Sequence, residues 1–132
     1  MRFDLAYLHG ELLGGITILA WLVVMVWSVV IWRRGVDEAP RFWKAVSLAQ
    51  VLLGVQLLFG VTLLVLGRRP GTASTFDTIF HPLYGFVFPI IVLLVAHAQA
   101  RGGNRNAYAT FALGSFVVVA LTLRAYLVGL GG

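Results

Sequence analysis

Three histidines, His9, His81 and His97, are the side chains of this 132-residue chain best suited to binding a metal. The chain has no cysteine, so a disulfide bond and a thiolate metal cluster are excluded. Imidazole nitrogen is then the strong ligand for a metal ion or a metal-containing cofactor. Which histidines can share a site depends on the elements that carry them.

The composition predicts an integral membrane protein. Hydrophobic residues make up 60% of the chain and charged residues only 11%, which leaves too little polar surface for a water-soluble globular domain. The net charge of +5 comes from arginines and lysines that flank apolar runs, as is typical of residues at lipid headgroups. Membrane lipid is therefore an expected partner, and nucleic acid is not.

Four apolar runs are long enough to cross a bilayer, and they cover approximately residues 6–32, 43–67, 79–99 and 108–130. The segments between them carry glycine, proline and charged residues, which are typical of loops. Hydrocarbon cannot hydrogen-bond to exposed backbone groups, so each run should be helical. The sequence predicts one all-α transmembrane domain over residues 1–132, folded as a four-helix bundle.

The basic residues predict the orientation of this bundle. Six of them lie on one side of the predicted spans and three on the other: Arg33, Arg34, Arg41, Lys44, Arg101 and Arg105 against Arg2, Arg68 and Arg69. Because cytoplasmic loops are rich in lysine and arginine, the first group should be cytoplasmic and both chain termini should lie on the outer side. We expect the membrane to be a bacterial or archaeal plasma membrane.

This topology separates the histidines into two groups. His81 and His97 are 16 residues apart on one predicted helix, so they differ in depth by roughly 24 Å and project from nearly opposite faces. They cannot share a site, and His97 is expected at the cytoplasmic interface. His9 and His81 begin alternate helices at the outer side, which are diagonal neighbours in an up-down-up-down bundle. Their placement suits one haem b, with an imidazole on each side of the iron.

Small and polar residues near these histidines are further candidates for the haem site. Gly14, Gln56, Gly60 and Gly85 occur on the outer halves of the first three helices, and glycine allows a flat group to approach the backbone. The alternative is that these small residues serve helix packing, which uses the same spacings.

Arg68, Arg69 and Arg124 lie towards the same predicted side and could pair with haem carboxylates, or could extend to lipid headgroups instead. Asp77, four residues before His81, is a candidate acceptor for the His81 ring N–H.

Three segments resemble one four-helix half of the haem A synthase family. They are HGELLGGIT from His9, QVLLGVQLLFGVTLLVLG from Gln50, and HPLYGFVFPIIVLLVAHA from His81. In that family, histidines that open alternate helices ligate haem, and the intervening helix has a Gln-x-x-x-Gly pattern followed by a Val-Thr or Thr-Val step. Gln56, Gly60 and Val61-Thr62 match the pattern, and the resemblance covers roughly Tyr7 to Ala98.

The resemblance implies a haem-binding module like that of small b-type membrane cytochromes. The chain departs from the family at one acidic residue, because the synthase has a glutamate three residues before its first histidine, where this chain has Ala6. Glu11 follows the histidine instead. The chain also supplies only one of the two halves. Haem binding is therefore expected more than hydroxylation of a haem, and we assign no catalytic residue.

Three functions follow as hypotheses. The first is electron transfer through a haem b ligated by His9 and His81, with a quinol or a redox membrane complex as partner. Two filled axial positions leave no open site for oxygen chemistry, so an electron carrier is preferred over an enzyme. The second is a cofactor-free accessory subunit of a larger membrane complex. The third is a half-length haem A synthase-like enzyme that acts as a homodimer.

Overall fold

A computed structural model describes residues 4–68 and 75–129, apart from the side chain of Asp77. Four long helices form an antiparallel bundle, as the apolar runs predict. Helix α1 spans Leu5–Arg34, α2 spans Pro40–Val65 and α4 spans Ala107–Gly129. Helix α3 consists of the α-helical segments Thr75–Pro82 and Phe88–Arg101 with a short π-helical segment between them. Each of the four is long and apolar enough to cross a membrane, so the chain is an integral membrane protein.

Local residues explain where the helices begin and end at the predicted cytoplasmic end of the bundle. Helix α1 ends at Gly35, whose φ of 65° is readily adopted only by glycine, and its N–H donates to the carbonyls of Ile31 and Trp32. Helix α2 then begins with Pro40 in its first turn, where the missing N–H costs no hydrogen bond. Helix α4 is capped by the Asn106 side chain, whose oxygen accepts from the backbone N–H groups of Tyr108 and Ala109.

The best-packed part of the core lies at this same end. Phe42 is fully buried and makes edge-to-face contacts with Trp27, Trp43, Tyr108 and Phe111. The Tyr108 hydroxyl also accepts a hydrogen bond from the backbone N–H of Ala39, at 2.9 Å. This contact ties the start of α2 to α4, because the preceding loop leaves that N–H without a helical acceptor.

Helices α1 and α4 pack closely along their length. Small residues permit such close approach between the helices. A Cβ on Gly114 of α4 would lie 3.3 Å from the Ala96 side chain of α3, and a Cβ on Gly14 of α1 would lie 3.1 Å from the Tyr126 ring of α4. Lipid supplies no hydrophobic driving force between helices, so close packing at small residues stabilises the bundle instead.

Helices α1 and α3 each contain a wide π-helical turn, which includes His9 in α1 and follows His81 in α3. In α1 this turn is Leu8–Leu13, and in α3 it is Leu83–Val87. The second has a local cause. Pro89 lacks the N–H that would bond to the carbonyl of Gly85, and the Phe88 N–H donates five residues back to Leu83. π-Turns inside α-helices occur frequently at functional sites.

Candidate functional site

A cavity of about 550 Å³ opens at the end of the bundle opposite the aromatic core, and residues from all four helices line it. This volume is in the usual range for a site that binds a small molecule or cofactor. Most lining side chains are apolar, and two histidines lie among them, His9 and His81. The cavity is therefore a mostly apolar chamber that contains two imidazoles.

The His9 and His81 rings meet in this cavity. Their Nε2 atoms are 3.5 Å apart, their ring centroids are 5.8 Å apart, and their planes are inclined at 72°. The two residues are 72 positions apart in the chain, and α1 and α3 bring them together from opposite corners of the bundle. Both side chains are half-buried.

His9 is held by helix α2. Its Nδ1 lies 3.1 Å from the carbonyl oxygen of Gln56, and the Gln56 side chain donates from Nε2 to the carbonyl of His9 at 2.6 Å. One turn further along α2, Gly60 faces the ring so closely that a Cβ there would lie 3.0 Å from His9 Cε1. The absence of a side chain at Gly60 makes room for the imidazole.

His81 is held by helix α4 in the same manner. Its Nδ1 lies 2.9 Å from the carbonyl oxygen of Ala125, and a Cβ on Gly129 would lie 3.2 Å from His81 Cε1. In each hairpin of two helices, a histidine on the first helix therefore contacts a carbonyl on the second and a glycine four residues later. We call this repetition of the same two contacts the twofold relation between the hairpins.

These contacts assign the tautomers of both rings. A carbonyl oxygen can only accept a hydrogen bond, so Nδ1 of each imidazole must carry the hydrogen. In the neutral ring the hydrogen is then absent from Nε2, which presents a lone pair. The lone pairs of His9 and His81 consequently face one common point, which is the arrangement that a metal ion between two imidazoles requires.

The remaining glycines of the predicted site contact other helices. A Cβ on Gly14 would meet the Tyr126 ring, and a Cβ on Gly85 would lie 3.3 Å from the Cβ of Ala125. Both residues also line the cavity. Of the two interpretations left open by the sequence, helix packing thus describes their nearest contacts, whereas Gly60 accommodates the His9 ring.

The structure places the arginines predicted for the haem site in different positions. Arg68 lines the cavity and forms an ion pair with Asp4 at 3.8 Å, with both side chains about half exposed. Arg124 is exposed and does not line the cavity. Arg69 lies outside the described residues, as does the side chain of Asp77, the candidate acceptor for His81. Arg68 is therefore the predicted cation that the structure places beside the histidines.

Two buried polar atoms in the cavity wall make no hydrogen bond within the described part of the chain. They are Oγ1 of Thr17 and Oε1 of Gln56. A buried polar atom without a partner costs roughly 1–3 kcal/mol, so such atoms are expected to contact a ligand or a bound water. Both belong to the wall formed by α1 and α2, on the His9 side of the cavity.

His97 belongs to a separate cluster at the other end. Its Nε2 lies 2.6 Å from Nε2 of Gln50, and its ring packs edge-on against Phe111 with centroids 4.9 Å apart. The sequence predicts an interfacial position for this residue, and the structure shows a half-buried one between α2, α3 and α4. As predicted, it does not share a site with His81.

Sequence reasoning missed the half of the site that α4 supplies. Ala125 and Gly129 act through a backbone carbonyl and an absent side chain, and neither feature marks a residue as functional. A weak signal was present, because A-Y-L-V-G from Ala125 repeats the spacing of Q-L-L-F-G from Gln56. Comparison of the two hairpins would have found both residues.

The fold and the site together define a four-helix integral membrane protein with a dihistidine cavity at one end of its bundle. Comparison with known proteins gives one partial similarity. The chain is 36% identical over 73 residues to a UPF0761 membrane protein of Legionella pneumophila, seen in strains Corby and Philadelphia 1.

The aligned region is 52% of this chain but only 18% of the relative, so the chain spans less than a fifth of that protein's length. No protein-family model matches the chain, and no solved structure matches it. The relatives are thus bacterial membrane proteins.

Proposed function

We propose that this protein binds one haem b between His9 and His81 and transfers electrons in a bacterial or archaeal plasma membrane. The observation that carries the proposal is the pair of carbonyl contacts at Nδ1, which point both Nε2 lone pairs at one position in an apolar cavity. A hydrogen bond from the second ring nitrogen to a carbonyl is the usual way in which a protein orients a metal-ligating histidine.

The residues fit a haem. Metal–imidazole bonds are about 2 Å long, so two nitrogens on opposite sides of one metal lie about 4 Å apart. The observed separation of 3.5 Å requires the rings to part by only about half an ångström. The apolar walls suit a macrocycle, and Arg68 at the cavity suits its carboxylates, since guanidinium pairs well with carboxylate.

The site favours electron transfer over catalysis. Haem would supply a one-electron redox couple, and His9 and His81 would be the two residues that hold its iron. The contributions of this chain are to hold each imidazole through a backbone carbonyl and to surround the ligands with a mostly apolar cavity wall. Fixed ligands and a low-polarity environment are the features by which a protein tunes such a couple.

The resemblance to one half of a haem A synthase supports the same proposal, because the residues that carry it include His9, Gln56, Gly60 and His81. These four lie together around the cavity. The electron partner we propose is a quinol in the membrane or a redox membrane complex. A homodimer would restore the two-half architecture of that family.

An absorbance spectrum tests the proposal. Protein purified from a haem-replete host, or reconstituted with haem b, should give the reduced-minus-oxidised spectrum of a six-coordinate low-spin haem. His9→Ala and His81→Ala should each lose it, since each removes one axial ligand.

His97→Ala is the matched control, because this histidine lies at the other end of the bundle, and it should retain the spectrum. A folded, monodisperse wild-type protein that takes up no haem would contradict the proposal.

A further inference from the structure

The hairpin of α1 and α2 meets the hairpin of α3 and α4 along two seams, and the seam between α1 and α4 is closed. Gly14, Thr17 and Thr122 line the cavity on this side of the bundle, and all three are buried. A Cβ on Gly14 would lie 3.1 Å from the ring of Tyr126. Small residues allow this close approach of membrane helices, so α1 and α4 separate the cavity from the lipid on this side.

The second seam lies between α2 and α3, and helix geometry shows which side chains of α2 face it. Gln56 contacts α1 through His9, and the buried Leu53 lies about 60° further round the helix, towards the core. Leu57 and Val61 lie about 100° and 140° from Gln56 in the same direction. Leu57 and Val61 are therefore on the side of α2 that faces away from α1 and towards α3.

The same argument identifies the side chains of α3 that face this seam. His81 contacts α4 through the Ala125 carbonyl, and the buried Pro89 lies about 80° further round the helix. Pro82 and Phe86 lie about 100° and 140° from His81 in the same direction. These two side chains are therefore on the side of α3 that faces α2.

The seam between α2 and α3 is open beside the cavity. Its four side chains all line the cavity and none of them is buried: Leu57, Val61, Pro82 and Phe86. Val61 is 47% exposed, whereas side chains that meet across a closed seam bury each other. Helices α2 and α3 also pack much less closely than α1 and α4 do. We call the gap between these four residues the α2–α3 opening.

The chemistry of the α2–α3 opening suits a ligand that is dissolved in the bilayer. All four of its side chains are apolar, and they lie in the membrane-spanning helices. At the outer end of the bundle, by contrast, the charged residues Asp4, Glu11 and Arg68 line the cavity. An apolar ligand that enters from water would have to displace the hydration of these charges, whereas apolar side chains hold no such hydration.

We infer that haem reaches its site sideways from the bilayer, through the α2–α3 opening. The inference rests on the proposed haem site. The apolar body of the macrocycle passes between apolar side chains, and its carboxylates remain close to the headgroup level. Arg68 follows Val61 by seven residues, so it lies about 10 Å nearer the outer end of α2.

The kinetics of haem uptake and release test this route. A residue that only narrows an entrance slows entry and exit by the same factor and leaves affinity unchanged. Val61→Trp in the apoprotein reconstituted into liposomes should therefore take up haem about tenfold more slowly, as an added barrier of about 1.4 kcal/mol does. Transfer of haem from the loaded variant to a soluble haem-binding protein should slow by the same factor.

Val51→Trp is the matched control. Val51 is a valine of the same helix that is 60% exposed and does not line the cavity. A tryptophan there adds the same bulk to α2 away from the opening, so both rates should equal those of the wild type.

A cysteine variant covers the case in which tryptophan at position 61 prevents folding. The chain has no cysteine, so a bulky maleimide attaches to Val61→Cys at that one position after the protein has folded. Labelling the apoprotein should slow uptake, and labelling the haem-loaded protein should slow release. Labelled Val51→Cys should behave like the unlabelled protein.

A wild-type rate of uptake or of release in folded Val61→Trp overturns the inference, because a narrowed entrance affects both rates. Where that variant does not fold, the labelled cysteine protein decides by the same criterion. Equal slowing in the variants of Val51 would also overturn it, since the effect would then not depend on the opening. A wild type that takes up no haem fails the optical test first, so failure of the proposed function is distinguishable from failure of this inference.

Discussion

Alanine at Gly60 places a methyl carbon 3.0 Å from His9 Cε1 and 3.6 Å from both ring nitrogens. Carbon atoms in good contact are about 3.5–4.0 Å apart, so the ring must retreat by about 0.5–1 Å. His9 has little freedom to do so, because Gln56 holds both its ring and its backbone. The methyl group therefore has to move the ring away from the position in which its Nε2 faces His81.

The cost of this overpacking is about 1–3 kcal/mol, the range for an extra methyl group in a packed core. The displaced atoms are those of a proposed axial ligand, so we expect the cost to appear in haem affinity. At 1.4 kcal/mol for each tenfold change, haem binding should weaken by roughly 5-fold to 140-fold.

Gly54 provides the control for this experiment. It lies in the same helix, and a Cβ there would meet nothing within 4 Å. Gly54→Ala should leave haem affinity unchanged and should raise helix stability by about 0.5–1 kcal/mol, because alanine loses less backbone entropy than glycine.

Haem titration of the detergent-solubilised apoprotein, followed by absorbance, measures both affinities. If Gly60→Ala and Gly54→Ala bind haem equally well, His9 is not a ligand in the position that the structure gives it.

Three further substitutions test other parts of the structure. Gly129→Ala should weaken haem binding in the same titration by less than Gly60→Ala does, because its Cβ would lie 3.2 Å from His81 Cε1, whereas a Cβ on Gly60 would lie 3.0 Å from His9 Cε1. An effect larger than that of Gly60→Ala would contradict this ordering. Arg68→Gln should weaken haem binding by about fivefold, which corresponds to about 1 kcal/mol for one exposed charged contact. Arg105→Gln at the opposite end is the control, and equal haem affinities of the two variants would show that Arg68 does not belong to the site. Tyr108→Phe should lower the free energy of unfolding by about 1–3 kcal/mol in a denaturing-detergent titration, because the Ala39 N–H loses its acceptor. Tyr84→Phe on α3 is the control, and an unchanged free energy of unfolding for Tyr108→Phe would show that the Ala39 N–H finds another acceptor.

The fold was predictable from the sequence because the bilayer leaves a chain few alternatives. An apolar run of about 20 residues must cross as a helix, and four such runs with short loops must alternate in direction. The meeting of His9 with His81, and the distance of His97 from both, follow from that alternation and from helix geometry. Neither conclusion needed the identity of neighbouring side chains.

The rest of the site depends on features that residue types do not encode. The carbonyls of Gln56 and Ala125 are backbone groups, and any residue at those positions offers one. The face on which Arg124 lies depends on the rotation of α4, and a helix that is apolar all round gives no periodic pattern to fix that rotation. The π-turn that contains His9 likewise has no proline from which it could be predicted, whereas the π-turn of α3 precedes Pro89.

The twofold relation between the hairpins has a consequence for biogenesis. The carbonyl contact of each proposed haem ligand lies within one hairpin, since His9 contacts α2 and His81 contacts α4. Each hairpin can therefore orient its own ligand as soon as its two helices have entered the membrane. A cofactor that requires both ligands binds only after the hairpins dock, and by mass action it then stabilises the docked state. Haem uptake would in this way report that both hairpins have inserted and assembled.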